Sequence, residues 1–133
     1  MSPVFLDTVG LVAVWNSDDQ WHTLAKPAFA GLINSRTNVV TTSLVLIECA
    51  NAAARHPFRK DVIELRKNLK ARQGLIEPTD GDIEQAWEAY GQGLAGQAGI
   101  VDHVSFVVMR RLGLTEAFTC DAHFRAAGFV TLF

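Results

Sequence analysis

The stretch AGIVDHVSFVVMRRLG, from Ala98 to Gly113, reads as a buried helix, yet an aspartate, Asp102, stands in its opening turn. Two physical explanations compete for that charge. An acid in the first turn of a helix interacts favourably with the exposed backbone N–H groups and the helix dipole. Alternatively, the carboxylate belongs to a cluster assembled from distant parts of the chain.

The chain has 133 residues, a length that fits one domain over residues 1–133 with a continuous core. Apolar residues make up 49% and charged residues 20%, the composition of an ordered globular protein rather than a disordered one. No apolar run approaches the roughly 20 residues that span a bilayer. MSPVFLDTVG carries an acid where a secretory leader carries bases, and Cys49 and Cys120 form no C-x-x-C. A reduced, cytoplasmic protein is the expectation.

Twelve Lys and Arg against fourteen Asp and Glu leave a net charge of −2, which alone argues against a nucleic-acid partner. The distribution is uneven. Seven of the twelve bases, Arg55, Arg59, Lys60, Arg66, Lys67, Lys70 and Arg72, fall in one segment with only Asp61 and Glu64, and no base occurs from Glu77 to Asp102. Such a segment either follows a phosphate backbone or forms a solvated helix face.

Val4 to Leu6 predicts a buried strand ending in Asp7, with Thr8 as a cap for a helical turn through Gly10, Leu11 and Val14. A helix through Trp21, Leu24, Ala28 and Leu32, kinked at Pro27, precedes a β-branched strand over Asn38–Thr42. Thr42 or Ser43 caps a helix through Leu46, Ile47, Ala50 and Ala54, stopped near His56-Pro57. Arg59–Arg72 is amphipathic, directing Val62, Ile63, Leu65 and Leu69 to the core; Gly74 ends it and LIEP forms a short strand. Thr79–Tyr90 is a further helix with Ile83, Ala86, Trp87 and Tyr90 as its apolar positions, and GQGLAGQAG is a loose connection. Ala117–Thr119 is a strand, Asp121–Ala127 a turn or short helix closed by Gly128, and FVTLF a last strand. Trp15, Trp21, Trp87, Tyr90 and most phenylalanines are assigned to the core, with Trp15 and Trp21 also candidates for a partner groove. Strands alternating with helices predict an α/β fold, a short, mostly parallel central sheet flanked by helices.

In such a sheet, ligands gather at the carboxyl ends of the strands. Asp7 follows the first strand and Asp121 follows the strand holding Phe118 and Thr119, while Asp102 opens a helix. Each of these has a bland account in turn chemistry or capping. Glu48 is harder to explain so. It lies inside an apolar helix, and Leu44, Val45, Asn51 and Ala52 occupy the positions where a helical partner base would stand. Four converging carboxylates without bases would repel and take up protons, a conflict that a divalent cation resolves. Oxygen ligands suit Mg²⁺ or Mn²⁺, which can polarise a phosphoryl oxygen and activate water, as phosphodiester hydrolysis needs.

FLDT, LIEC, IVDHVSF and FTCDAHF with a final Gly-Phe strand, in this order across the whole chain, resemble the PIN domain, and within it the VapC-type toxin ribonucleases of type II toxin–antitoxin pairs. The resemblance implies a three-layer PIN-like fold and an acidic quartet of Asp7, Glu48, Asp102 and Asp121. It implies Asp7, Asp102 and Asp121 as metal ligands, Glu48 orienting a metal-bound water or holding a second ion, and Thr8 and Thr119 as supporting hydroxyls. The implied activity is that of a Mg²⁺-dependent (or Mn²⁺-dependent) endoribonuclease directed at structured RNA such as tRNA or rRNA. The implied partners are a cognate antitoxin that occludes the site and a second copy in a homodimer, with no membrane.

Other chemistries fit less well. No H-x-x-x-H or H-E-x-x-H supports a zinc hydrolase, no G-x-S-x-G supports a serine triad, and GQGLAGQAG lacks the Gly-Lys-Ser/Thr ending of a P-loop. His103 adjoins Asp102, but neighbours on a helix point about 100° apart and need not share a site, and His123, two residues past Asp121, either approaches the substrate phosphate or, the preferred reading, is a structural turn residue. Arg110, Arg111 and Arg125 either touch RNA or antitoxin or are solvated. A phosphotransfer domain with Asp7 as nucleophile would need an acid where Val9 stands and a late lysine, and none follows Lys70. A catalytically silent domain keeping the acids for metal or partner docking remains a second alternative.

Overall fold

The protein is described by a computed structural model over residues 2–133. The run Val4–Leu6 forms β1, and its three side chains are all buried, as expected for a strand covered on both faces. The chain continues as α1 (Thr8–Trp15), α2 (His22–Asn34), β2 (Val39–Thr42), α3 (Ser43–Ala53) and α4 (Arg59–Ala71). Then come β3 (Leu75–Ile76), α5 (Asp80–Gly91), α6 (Ile100–Arg111), β4 (Glu116–Phe118), α7 (Ala122–Ala126) and β5 (Val130–Thr131). The fold is α/β: among the described residues, seven helices flank a five-stranded sheet whose pairings are all parallel, in the order β3-β2-β1-β4-β5.

That order decides where a site can form. The chain first builds outward from β1 through β2 to β3, then returns to β1's other side with β4. The crossovers therefore leave on opposite sides of β1, opening a crevice at the carboxyl ends of β1 and β4. Their register pairs Phe5 with Ala117 and Leu6 with Phe118, so Asp7 emerges beside Thr119.

Local chemistry secures the elements around this crevice. Thr42 caps α3 by accepting from the Val45 N–H at 3.2 Å, and the buried Thr41 hydroxyl donates to the Leu6 carbonyl at 2.6 Å, tying β2 to the end of β1. Thr79 and Asp82 form a reciprocal capping box at the start of α5. Asp82 is buried and also takes a bidentate pair from Arg111 at 2.9 and 2.7 Å, clamping α5 to the far end of α6. Arg110 lies over the Phe129 ring and donates to the Ala127 carbonyl. These two arginines are therefore structural, not simply solvated.

Several expectations need correction. Ile63, Trp87, Tyr90 and Trp21 are exposed rather than core. Thr8 is the first helical residue of α1, Asp7 holds the N-cap position, and the Thr8 hydroxyl is used elsewhere. The strand at FVTLF is confined to Val130–Thr131, β3 is only Leu75–Ile76, and Thr119 lies just past β4. α2 continues through Pro27 as one helix.

Gly10 explains how α1 sits so close to the crevice. A Cβ there would lie 2.1 Å from the Phe118 carbonyl oxygen, so only glycine lets α1 rest on the end of β4. Gly10→Ala must displace backbone, and it is expected to lower unfolding stability by about 1–3 kcal/mol. Denaturant titration checks this; an unchanged midpoint would show that α1 has slack against β4.

Candidate functional site

Asp7 leaves β1 directly into the crevice and is 1% exposed. Although it occupies the N-cap position of α1, its side chain caps nothing. Its Oδ2 instead accepts from the Thr119 hydroxyl at 2.8 Å, and the same hydroxyl oxygen accepts from the Asp121 N–H at 3.1 Å. One side chain thus joins the carboxyl ends of β1 and β4. Asp121 in turn caps α7: its Oδ1 accepts from the His123 N–H at 2.9 Å and lies 2.9 Å from His123 Nδ1.

Glu48, on α3, finds its partner in Thr8, whose hydroxyl donates to Oε1 at 2.7 Å. The partner that the sequence required is a hydroxyl and not a base, which leaves the negative charge uncompensated. Asp102 is the third residue of α6, behind the N-cap Gly99. Both explanations of its position hold: the Gly99 backbone favours its charge, while Asp121 and Glu48 oppose it.

All four predicted acids line one open cleft of about 450 Å³, together with Thr8, Val9 and Asn51. No Lys or Arg lines it. Burial, reinforced by the charge of Asp102, raises the Asp7 carboxyl from 3.8 to about 7 against the opposing Thr119 hydrogen bond. Burial followed by the charges of Asp121 and Glu48 raises Asp102 to about 6. Beneath the cleft, burial and then Asp7 push the Cys49 thiol up to about 12, so it stays a neutral core group.

The ligand atoms that come within 4.8 Å of one another belong to Asp102, Asp121 and His123, whereas the expected ligand set was Asp7, Asp102 and Asp121. Asp7 lies deeper, held by Thr119. His123, read from sequence as a turn residue, has its ring at the site because the Asp121 cap folds the chain back on itself. Asn51 was also missed; its only signal is its place one turn beyond Glu48 on α3. His103, by contrast, is buried against Tyr90 and Phe106, and desolvation, then Arg110, lowers its pKa. The donor set of carboxylates with one imidazole and no neutralising base fits a hard divalent cation.

The PIN-domain profile matches residues 4–130. The 23S rRNA-specific endonuclease VapC20 of Mycobacterium tuberculosis is 32% identical over 131 residues, covering 96% of this chain and 95% of that protein. The crystal structure of M. tuberculosis VapC20, described as a Sarcin-Ricin loop cleaving toxin, superposes with a TM-score of 0.79 at 28% identity over 96% of both chains. FitAcB from Neisseria gonorrhoeae (TM-score 0.61, 16% identity, 96% of this chain and 95% of that one) shares the fold. So does PAE2754 from Pyrobaculum aerophilum (0.56, 21%, 98% and 83%). With its acids converging at the β1–β4 crevice and a profile match running nearly end to end, the chain belongs to the PIN-domain family.

Proposed function

We propose that this chain is a divalent-metal-dependent endoribonuclease, the toxin of a type II toxin–antitoxin pair, working as a single domain over residues 1–133 in the cytoplasm. The observation that carries the reading is the meeting of Asp7, Glu48, Asp102 and Asp121 in one cleft that no Lys or Arg lines. The likeness to an rRNA-specific endonuclease over almost the whole chain points to a structured ribosomal RNA as substrate.

Asp7, Asp102 and Asp121 would hold Mg²⁺ or Mn²⁺, with His123 at the edge of the set. The cation supplies Lewis acidity toward a phosphoryl oxygen and offsets the gathered negative charge. Thr119 fixes the Asp7 carboxylate and, through the Asp121 N–H, the start of the Asp121 turn. Thr8 holds Oε1 of Glu48, leaving Oε2 to take a proton from the attacking water as it approaches phosphorus. Asp7 as a phosphotransfer nucleophile is disfavoured, since the residue is buried and its carboxylate is tied to Thr119. The partners of this reading are the RNA, a cognate antitoxin that blocks the acidic cleft, and a second copy in a homodimer.

Asp7→Asn and Asp102→Asn are each expected to reduce RNA cleavage by about 100-fold or more, and Glu48→Gln by about 10- to 100-fold, with folding intact by circular dichroism. Chelation should abolish cleavage and Mg²⁺ or Mn²⁺ restore it. A folded Asp102→Asn variant that cleaves at the parental rate refutes the assignment.

The raised carboxyls also set a pH dependence. Because the folded chain holds protons at Asp7 and Asp102 more tightly than the unfolded chain, metal-free stability falls as pH rises from about 4 through 7. A cation competes with those protons. Mg²⁺ should therefore raise the melting temperature more at pH 8 than at pH 5.5, and the acid limb of the cleavage profile should move to lower pH as the Mg²⁺ concentration is raised. Equal Mg²⁺ stabilisation at both pH values contradicts the assignment of these acids as ligands.

A further inference from the structure

A cleft lined by four carboxylates, even with a cation held among them, offers no side-chain cation to the phosphates that flank the scissile bond. The bases of this chain are concentrated on α4. The exposed bases Arg59, Lys60, Arg66, Lys67 and Lys70 are not spread around this helix. Its core stripe is Val62, Leu65 and Leu69. At 3.6 residues per turn, Arg59, Arg66 and Lys70 share the flank that carries Ile63, while Lys60 and Lys67 stand together just outside it. Asp61, Glu64 and Arg72 lie on the opposite flank, where they border a separate groove with Trp15 and Phe29.

Helix stability explains Lys70, in the last turn, but not the bases at the start of α4. Arg59 and Lys60 occupy the first turn, where the helix dipole disfavours cations. The ion pairs among the described residues are Arg111–Asp82 and His123–Asp121, so none of the five bases is neutralised. Glu77, which borders the same groove as Arg66, is engaged by the Ser43 hydroxyl at 2.7 Å.

The basic flank is also placed to serve the cleft. Arg59 faces Ala50 and Ala53 of α3, and Arg66 faces Ser43 and Ile47. The neighbouring residues Glu48 and Asn51 of that helix line the acidic cleft. Only α3 separates the two, a width of about 10 Å, and its exposed residues Ile47, Ala50, Asn51 and Ala52 carry no charge. A twofold copy of this chain is a poor occupant, because it would set the same five cations against each other.

We propose that the α3-facing flank of α4 is an RNA-backbone surface, with Arg59, Arg66 and Lys70 holding the strand that crosses α3 into the acidic cleft. The proposal rests on the ribonuclease reading for its substrate but is tested by binding. An Asp102→Asn background in Mg²⁺ keeps the RNA intact. There, Arg59→Gln/Arg66→Gln/Lys70→Gln should weaken binding of a structured rRNA hairpin by about 10- to 100-fold and reduce the slope of log affinity against log salt by about 2. Arg59→Lys/Arg66→Lys should retain most of the affinity. In the otherwise parental chain, the same triple change should raise KM for the hairpin and leave kcat within about twofold. Unchanged hairpin affinity and salt slope overturn the proposal. So does an equal loss in the charge-retaining variant, or a loss confined to binding of poly-glutamate, which marks an acidic protein as the partner. If the parental chain cleaves no RNA, the nuclease reading fails on its own while the binding comparison still decides this surface.

Discussion

The Thr119 hydroxyl carries the geometry of this molecule's site. It donates to Asp7 at the end of β1, 112 positions away, and accepts from the Asp121 N–H after β4. Because β1 and β4 lie side by side while their crossovers diverge, no other part of the sheet offers two adjacent carboxyl ends with an open crevice between them. α1 can begin at that point only because Gly10 admits the Phe118 carbonyl. The same helix start brings the Thr8 hydroxyl to Glu48 on α3. Asp7, Glu48 and Asp121 are thus positioned by two hydroxyls and one glycine contact, and Asp102 joins them in the cleft from the first turn of α6.

Much of this was legible in the sequence because it rests on local signals. An apolar run ending in an aspartate marks β1 and Asp7, and a carboxylate without a helical partner marks Glu48. The four acids were singled out by such signals, the resemblance implied that they act together, and the structure lines one cleft with them. What escaped depends on pairs remote in sequence. Apolar spacing directs Trp87 and Tyr90 of α5 to the core, yet both are exposed. The buried side of α5 is set by Asp82 and Ala86, because Arg111 draws the Asp82 carboxylate against α6. A reading of hydrophobic period has no means of placing a charge on the inner face. Ile63 fails for a related reason: α4 packs through the narrow stripe of Val62, Leu65 and Leu69, and the next apolar position falls outside it. The approach of the His123 ring to Asp121 was not legible because the fold-back that carries it is made by a cap, and the cap's geometry cannot be read from residue order.

The site works against the stability of the metal-free chain. Moving the Asp7 carboxyl from 3.8 to about 7 makes its ionisation in the folded state cost about 4 kcal/mol. That is comparable to the net stability of a small domain. A buried cluster of β1, β4 and Phe106, Phe124 and Phe129 encloses the elements that carry the acids, so repulsion within the cleft cannot be relieved by letting β1 and β4 drift apart. Protons or a cation must relieve it instead. Rigidity in the core is therefore what turns Asp7 and Asp102 into groups with a strong demand for a proton or a cation.

The same separation of charge explains why the total of −2 is uninformative about partners. A nuclease that gathers acids to bind metal must attract a polyanion with charges held apart from those acids, or its own bases would neutralise the metal site. Arg59 or Arg66 placed in the cleft would pair with Asp102 or Glu48 and lower the demand for a cation. On α4 they lie beyond α3, about one helix width away, and leave the carboxylates unpaired. At that distance, close to the screening length in physiological salt, each group keeps most of its own local field. A near-neutral total is then the sum of two strong and opposed surfaces, each of which depends on the other being kept at a distance.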